Sequence, residues 1–242
     1  MNYKTLIFFY LNFVTFIIVD QEISAQLSLD KLDFDRIRQK KIIEFVRIQK
    51  RNGKKTFYEL NSFCYRKQDS IKFRQISSTY LIHENADKVW KGYLRMCPFE
   101  AYTGNRVGIG FVYSKKDDKI IYEGDVYDNL EVGQQYFFNI RVLGGIKNMG
   151  IADEVTGLDE STKTIRFCYL QYGKTEGTQE ISLKETSNGY TQVTHKSWYH
   201  SGSKFRDRIL YPYFHNLTIG EYHRIVKNML EKPKSLIFSD IE

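Results

Sequence analysis

Proline, cysteine and long apolar runs are scarce in this chain, and each scarcity excludes some classes of protein. Only three prolines occur in 242 residues, beside eighteen tyrosines and seventeen phenylalanines. This composition excludes proline-rich linkers and a disordered chain, and it favours β-rich structure. The chain has one long apolar stretch, near the N-terminus, and no second apolar run that could cross a membrane.

The three cysteines exclude a disulfide scaffold and a cysteine-based metal site. Cys64, Cys97 and Cys168 match no CxxC motif and are too few for a disulfide-dense fold. Cys168 falls in an apolar strand pattern, where a cysteine usually serves as a small buried hydrophobe. In an oxidising compartment an odd number leaves at least one thiol unpaired or paired between chains. The sequence leaves the pairing open.

The one apolar run, residues 6–19, has the length of a secretory signal. It follows Lys4 and has no charged residue, and fourteen residues make about 21 Å of helix, short of the roughly 30 Å hydrocarbon core. Small residues follow, so cleavage after Ala25 is predicted. An uncleaved anchor or a buried core helix is the alternative. Cleavage predicts an exported protein, periplasmic or secreted, with no membrane span after processing.

The basic charge is spread along the chain. The net charge of +7 becomes +8 once Lys4, Asp20 and Glu22 leave with the signal. The densest stretch, residues 47–55, has five Lys or Arg and is typical either of a surface that meets nucleic acid or an acidic partner, or of a solvated helix end. Export favours the solvated helix end, so no nucleic-acid partner is expected.

The N-terminal part is predicted to be a helical extension. Apolar residues recur among charges over residues 28–50, and Asn52-Gly53 predicts a turn at the end of that helix. A strand at 56–65 is predicted next. The main domain starts near Phe73, with a strand at 76–82 and a helix capped by Asn85.

Alternation of apolar residues predicts an antiparallel series of strands after this helix. They cover residues 107–113, 119–123, 135–143, 150–155, 164–172, 178–184 and 189–199. A turn at 157–159 is expected to follow the fourth of these.

The chain closes with a predicted amphipathic helix. Thr218 and Glu221 have the spacing of a capping box, so the helix is expected to begin at Thr218. A helical lead-in that bends around Pro212 precedes it.

The order strand, helix, antiparallel strands and long C-terminal helix resembles the helix-grip superfamily of START domains and the birch-pollen allergen. Residues 78–94, STYLIHENADKVWKGYL, are similar to the opening strand and helix of that superfamily. Residues 165–230 resemble a branch of it whose function is not established. The resemblance implies an α+β fold in which a curved sheet of six to seven strands grips the last helix. The predicted organisation is a signal peptide (1–25), a helical extension (26–72) and a START-like domain (73–242).

The same resemblance implies a cavity between sheet and helix that holds a small apolar or lipid-like ligand. Ligand-binding cavities in proteins usually have a volume of roughly 300–1,000 Å³, and the same range is expected here. Its candidate ligand-binding residues are Ile165, Phe167, Tyr169, His195 and Tyr199, with Arg106 as an anchor for a carboxylate. The alternative is that the aromatic residues only fill the core and that Arg106 lies on the outer face of its strand.

No motif predicts catalysis, a metal site or a cofactor. His195 and His200 lie five residues apart in a strand and so point to opposite faces. The expected cap at Thr218 separates His215 from His223. No serine has a G-x-S-x-G context, and the glycine-rich stretches 104–110 and 142–150 lack the pattern of a phosphate loop.

Three functions are therefore considered, in order of preference. The first is a non-catalytic binding protein for a small apolar ligand. The second is an enzyme, a cyclase or hydrolase, which requires a His, Asp or Glu with a shifted pKa in the cavity. The third is an interaction protein that uses the basic stretch 47–55. Ligand identity and oligomeric state are open.

Overall fold

The computed structural model of the protein describes residues 26–232, so the predicted signal sequence lies outside the described residues. The helices are α1 (Lys40–Arg51), α2 (Ala86–Arg95), α3 (Pro98–Ala101) and α4 (Tyr211–Glu231). The strands are β1 (Ser62–Phe63), β2 (Arg74–Ile82), β3 (Val107–Ser114), β4 (Lys119–Tyr122), β5 (Gln134–Val142), β6 (Lys147–Asp159), β7 (Thr164–Leu170), β8 (Glu176–Glu185) and β9 (Thr191–His200). Within residues 26–232 no helix has the length and hydropathy of a membrane span.

The nine strands form one curved antiparallel sheet. Its order is β2-β9-β8-β7-β6-β5-β3-β4, and β1 pairs with the end of β7. The concave face packs on α2, α3 and α4 around a core that includes Val89, Trp90 and Val226. The predicted α+β class is confirmed, with more strands than the resemblance implies because the short β1 and β4 join the sheet.

The convex face of the sheet is covered by residues 27–60. Phe57, from this segment, stacks on Tyr113 at 5.0 Å between ring centroids and meets Phe111 and Phe137 edge to face. Alternate residues of β3 therefore enter different cores, which is why the whole strand is buried. Burial of an apolar face on each side of β3 and β5 stabilises the sheet from both sides.

The helix predicted over residues 28–50 begins only at Lys40. Ser28 and Asp33 each cap a single 3₁₀ turn with their side chains, which diverts the chain before a longer helix forms. The predicted turn is present: α1 ends at Arg51, Asn52 is its C-cap, and Gly53 has φ of +84°. The strand predicted at 56–65 is reduced to β1.

β6 is longer than its sequence pattern indicates. The predicted turn at 157–159 is wrong, because Gly157 lies at a register shift between β6 and β7 and pairing continues to Asp159. Apolar and polar residues alternate only weakly in this part of the sequence. The strand nevertheless continues, because antiparallel pairing with β5 and β7 supplies hydrogen-bond partners for its backbone.

The predicted capping box at Thr218 is also wrong. α4 starts seven residues earlier, after a π-helical turn over Arg206–Leu210, and Pro212 lies at its first turn, where a missing N–H is tolerated. The Thr218 hydroxyl donates to the Phe214 carbonyl inside the helix. Glu221 instead accepts hydrogen bonds from the backbone N–H groups of Asn105 and Arg106, before β3.

A disulfide joins Cys64, beside β1, to Cys168 in β7. The expectation that Cys168 is merely a small buried hydrophobe is therefore wrong. The sequence could not show this pairing because the two residues are 104 positions apart and meet only when β1 docks on β7. Cys97 is the free cysteine of the described part of the chain.

Replacement of Gly150 by alanine is expected to lower the free energy of unfolding by about 2 kcal/mol, as is usual for overpacking. A Cβ atom at Gly150 in β6 would lie 2.1 Å from the backbone oxygen of Lys41, so α1 would have to move away from the sheet. Gly157→Ala in the same strand is the control, since its nearest contact would be an ordinary 3.7 Å. Urea unfolding measures both variants, and equal effects would contradict close packing of α1 on β6.

Candidate functional site

A cavity of about 360 Å³ lies between the concave face of the sheet and α4. Its walls are mainly apolar and aromatic, with side chains from β5, β6, β7 and β8 opposite the first three turns of α4. The apolar lining includes Phe138, Ile140, Met149, Ile151, Phe167 and Ile181. Alternate residues of each strand point inward, which is why Lys147, Met149, Ile151 and Asp153 of β6 share this face.

The cavity opens at one end of β6. Four of its lining residues are exposed there: Leu143, Lys147, Lys174 and Leu210. Arg206 lines the same end, where its guanidinium donates to the Lys174 and Ser201 carbonyls. The opening is therefore ringed by cationic and apolar side chains.

The deep part of the cavity contains one carboxyl group. Asp153 is only 5% exposed, and its Oδ2 accepts a 2.8 Å hydrogen bond from Gln179 Nε2. Burial raises the pKa of this carboxyl to about 7, although the Gln179 hydrogen bond acts in the opposite direction. Asp153 lies six residues from Lys147 along β6, about 20 Å in an extended strand.

Three histidines meet beside this carboxyl group. His195 of β9 contacts Gln179 Oε1 through Nε2 at 3.0 Å and His223 Nε2 through Nδ1 at 2.9 Å. His215 Nε2 lies 2.9 Å from Ser197 Oγ and 3.3 Å from Gln179 Oε1. Burial lowers the pKa of His195 to about 3 and the pKa values of His215 and His223 well below the usual range, so all three are neutral near pH 7.

These contacts assign the direction of a hydrogen-bond chain. Because Gln179 turns its amide N–H to Asp153, its oxygen accepts from His195 Nε2–H. Neutral His195 then accepts at Nδ1 from His223 Nε2–H, and His223 accepts at Nδ1 from the Tyr93 hydroxyl at 2.7 Å. Every donor in the chain points towards Asp153.

Unpaired polar atoms concentrate in this cavity. Within residues 26–232, five buried side-chain atoms have no hydrogen-bond partner, and three belong to residues that line the cavity: Asp153 Oδ1, Arg206 Nε and His215 Nδ1. Buried polar atoms are normally paired, so each of these calls for an explanation. No cluster of His, Cys, Asp or Glu in that range has the geometry of a metal site.

The structure brings half of the predicted binding residues to the cavity. Phe167, Tyr169 and His195 line it. Ile165 is buried in the core beside it. Tyr199 stacks on Tyr211 at 3.7 Å and donates to the Asp207 carbonyl, outside the lining.

The predicted carboxylate anchor is not at the cavity. Arg106 is absent from its lining, and the backbone of Arg106 instead ties Glu221 and Arg141 together. The cations at the cavity are instead Lys147, Lys174 and Arg206, which lie at its opening. The sequence analysis missed three polar residues of this region: Asp153, His215 and His223. The available signals for them were a strand pattern through Asp153 and a helix pattern through the two histidines.

The basic stretch 47–55 forms the end of α1 and the following turn. Lys50 makes an ion pair with Asp30, and the Arg47 guanidinium lies 5.7 Å from the centre of the Phe34 ring. Glu59 accepts hydrogen bonds from the backbone of Lys55 and Thr56. Part of this charge is thus balanced within the extension itself.

No family model matches the chain, and no curated protein matches its sequence. Solved structures do match. Truncated norcoclaurine synthase from Thalictrum flavum aligns with a TM-score of 0.50 at 12% identity, covering 67% of this chain and 96% of that one. The major latex-like protein 151 of Panax ginseng aligns with a TM-score of 0.49 at 14% identity, covering 66% and 99%. At 12% identity the likeness to norcoclaurine synthase shows the fold alone: this chain has the helix-grip fold, a curved antiparallel sheet around a long C-terminal helix.

Proposed function

We propose that the protein binds a small amphipathic molecule in the cavity between its sheet and α4. The observation that carries this proposal is a 360 Å³ apolar cavity with three buried, unpaired polar atoms in its wall. Ligand sites have this size and this combination of apolar walls and few polar groups. A cavity left empty in the native state would instead cost stability through lost packing contacts.

The ligand's anionic end lies at the opening. Lys147, Lys174 and Arg206 supply positive charge there, and the Nε–H of Arg206 is an unused donor. A carboxylate or sulfonate complements these groups through charge-assisted hydrogen bonds. The apolar body then extends along Met149 and Ile151 into the cavity.

Binding takes place after export from the cytosol. The signal-like stretch at residues 6–19 supports this, and so does the Cys64–Cys168 disulfide, since such bonds persist in oxidising compartments. N-terminal sequencing of the protein from expressing cells tests it. A chain that starts at Gln26 is expected, whereas a chain that retains Met1 inside the cell would contradict export.

Thr218→Trp is expected to weaken binding of 1-anilinonaphthalene-8-sulfonate, an apolar probe with one anionic group, by at least tenfold. Thr218 lies on the cavity-facing side of α4, so an indole there occupies space that a ligand needs. Arg224→Trp, on the exposed side of the same helix, is the matched control. Fluorescence titration should show saturable binding for the native protein and the control, and at least tenfold weaker binding for Thr218→Trp. Equal binding by all three would place the probe elsewhere and refute the proposal.

Native mass spectrometry of the protein purified without detergent gives an independent result. A reproducible extra mass that is lost on denaturation is expected, and its value begins to identify the ligand. The Thr218→Trp variant should carry none of this mass. Retention of the same mass by that variant would assign it to another site.

An enzyme on the same cavity is the second candidate, and the Asp153 carboxyl favours it. Its pKa of about 7 suits proton transfer near neutral pH, and norcoclaurine synthase shows by its name that the fold accommodates catalysis. The mass of the recovered ligand separates the two functions. A ligand returned unchanged after prolonged incubation supports binding alone, and a converted one supports catalysis.

A further inference from the structure

The deep end of the cavity presents an acceptor that no residue satisfies. Asp153 Oδ2 is occupied by Gln179, whereas Asp153 Oδ1 is buried without a partner. The pKa of Asp153 is governed by burial and by Gln179, with no cation contributing. Lys147 at the opening is six residues away along β6, about 20 Å in an extended strand. A buried carboxylate with neither countercharge nor second donor is costly unless a ligand supplies one.

No donor of a neighbouring residue lies within hydrogen-bond distance of this oxygen. Gln179 uses its amide N–H on Oδ2 and its oxygen on the histidines. The His195 Nε2–H is committed to Gln179. One of the Tyr169 and Tyr211 hydroxyl groups donates to the other at 2.6 Å, and neither lies within hydrogen-bond distance of Asp153 Oδ1. The hydrogen-bond chain from Tyr93 thus holds Gln179 in one orientation and leaves Asp153 Oδ1 without a donor in the wall of the cavity.

We propose that Asp153 Oδ1 is the recognition site for a hydrogen-bond donor, a hydroxyl or amino group, on the buried end of the ligand. This inference rests on the proposed binding function and specifies the ligand's chemistry. The ligand is an apolar molecule with a donor at its inner end. His215 Nδ1, unpaired on the other side of Gln179, offers a second polar contact to the same group.

The walls around this oxygen fit a flat, apolar body. Phe138, Phe167 and Tyr102 line the cavity beside Asp153, and Tyr102 stacks on Tyr222 at 4.6 Å. Aromatic rings accept apolar groups by packing, and they also attract an ammonium group through their negative faces. Both kinds of donor therefore fit the same walls.

Three probes of one shape test the proposal: 2-naphthol, 2-naphthylmethylamine and 2-methylnaphthalene. Isothermal titration calorimetry of the purified protein at pH 8 is expected to show at least tenfold tighter binding of the first two. The reason is that a buried site built for a donor discriminates strongly against an analogue that lacks it. Equal affinity for all three would overturn the Asp153 site while leaving the cavity function intact. Absence of binding by all three would likewise overturn the Asp153 site, and the cavity function would fall with it if 1-anilinonaphthalene-8-sulfonate also failed to bind.

Asp153→Asn is the decisive variant. The new amide oxygen accepts from Gln179, and its N–H₂ group then faces the cavity, so a ligand donor meets a donor. We expect the preference for 2-naphthol over 2-methylnaphthalene to fall below threefold, with 2-methylnaphthalene bound as before. Unchanged affinity for 2-methylnaphthalene also shows that the variant is folded. A preference that survives in Asp153→Asn would overturn the proposal.

The pH dependence in the native protein distinguishes an amine from a hydroxyl and needs no variant. The titratable groups that face Asp153 are Tyr102, Tyr169, Tyr211, His195 and His215. Burial raises the pKa of each tyrosine and lowers that of each histidine, so Asp153 is the member of this group that titrates between pH 6 and 8. Affinity for 2-naphthylmethylamine should rise about tenfold over that range as the carboxyl ionises, and affinity for 2-methylnaphthalene should stay constant. A flat profile for the amine would exclude contact between its ammonium group and Asp153.

Discussion

Loss of the Cys64–Cys168 disulfide is expected to lower the free energy of unfolding by about 4 kcal/mol. The bond closes a loop of 104 residues, and cross-links over loops of this length restrict the unfolded chain by about that amount. The loop includes β2 to β6 with α2 and α3, so most of the domain's strands are formed inside it. The two-residue β1 also depends on this bond to hold its register beside β7.

Urea unfolding of the double variant Cys64→Ala, Cys168→Ala measures this effect. The matched control is Cys97→Ala, because Cys97 is the free cysteine of residues 26–232. The control should change the stability little, and a reducing agent should destabilise the native protein and the control but leave the double variant unaffected. Equal midpoints for the native protein and the double variant would show that the bond contributes nothing.

Local sequence signals were sufficient for much of the fold. Asn85 accepts a hydrogen bond from the Lys88 N–H, as its position before the apolar stripe of α2 predicts. The alternating burial of β9 also follows directly from the sequence. In each case a single residue type or a period of two determines the local conformation.

Long-range contacts explain where the sequence analysis was wrong. Thr218 and Glu221 have the spacing of a capping box, but Glu221 bonds to the chain before β3, and α4 therefore runs through Thr218. Once α4 is continuous, His215 and His223 both reach His195 on β9. Because the predicted start of this helix was wrong, the sequence analysis did not bring the three histidines together.

Asp153 was missed for a related reason. The pattern around it is a weak strand, and the inward alternation from Lys147 to Asp153 becomes evident only when β5 and β7 pair with β6. An acidic residue on the apolar face of a strand is a signal for a functional group, but it requires that the face be known. Sequence resemblance predicted the cavity, and only the packed structure places a carboxyl group in it.

Asp153→Asn is expected to stabilise the ligand-free protein at pH 8 by about 2 kcal/mol. Burial holds the pKa of Asp153 at about 7, whereas the unfolded chain has the ordinary carboxyl pKa of 3.8. The folded state therefore binds the proton more tightly. This favourable contribution is complete below pH 3.8, is lost as pH rises from there to about 7, and is absent above pH 7. A shift of this size corresponds to about 4 kcal/mol, and the unpaired amide N–H₂ of asparagine offsets about half of it.

Thermal unfolding between pH 4 and 8 measures this difference against a control of opposite sign. Asp159 accepts hydrogen bonds from Ser161 and Thr162, which lower its pKa to about 2. Asp159→Asn should therefore destabilise the protein at pH 8, whereas Asp153→Asn stabilises it there. At pH 4 the native carboxyl is protonated and gains about 4 kcal/mol, so Asp153→Asn should then be less stable than the native protein by about 2 kcal/mol. An Asp153→Asn variant that is less stable at pH 8 would mean that another group already compensates the carboxylate. The expected gain in stability, together with the expected loss of donor recognition, would show that the native protein retains an unfavourable buried charge in order to bind its ligand.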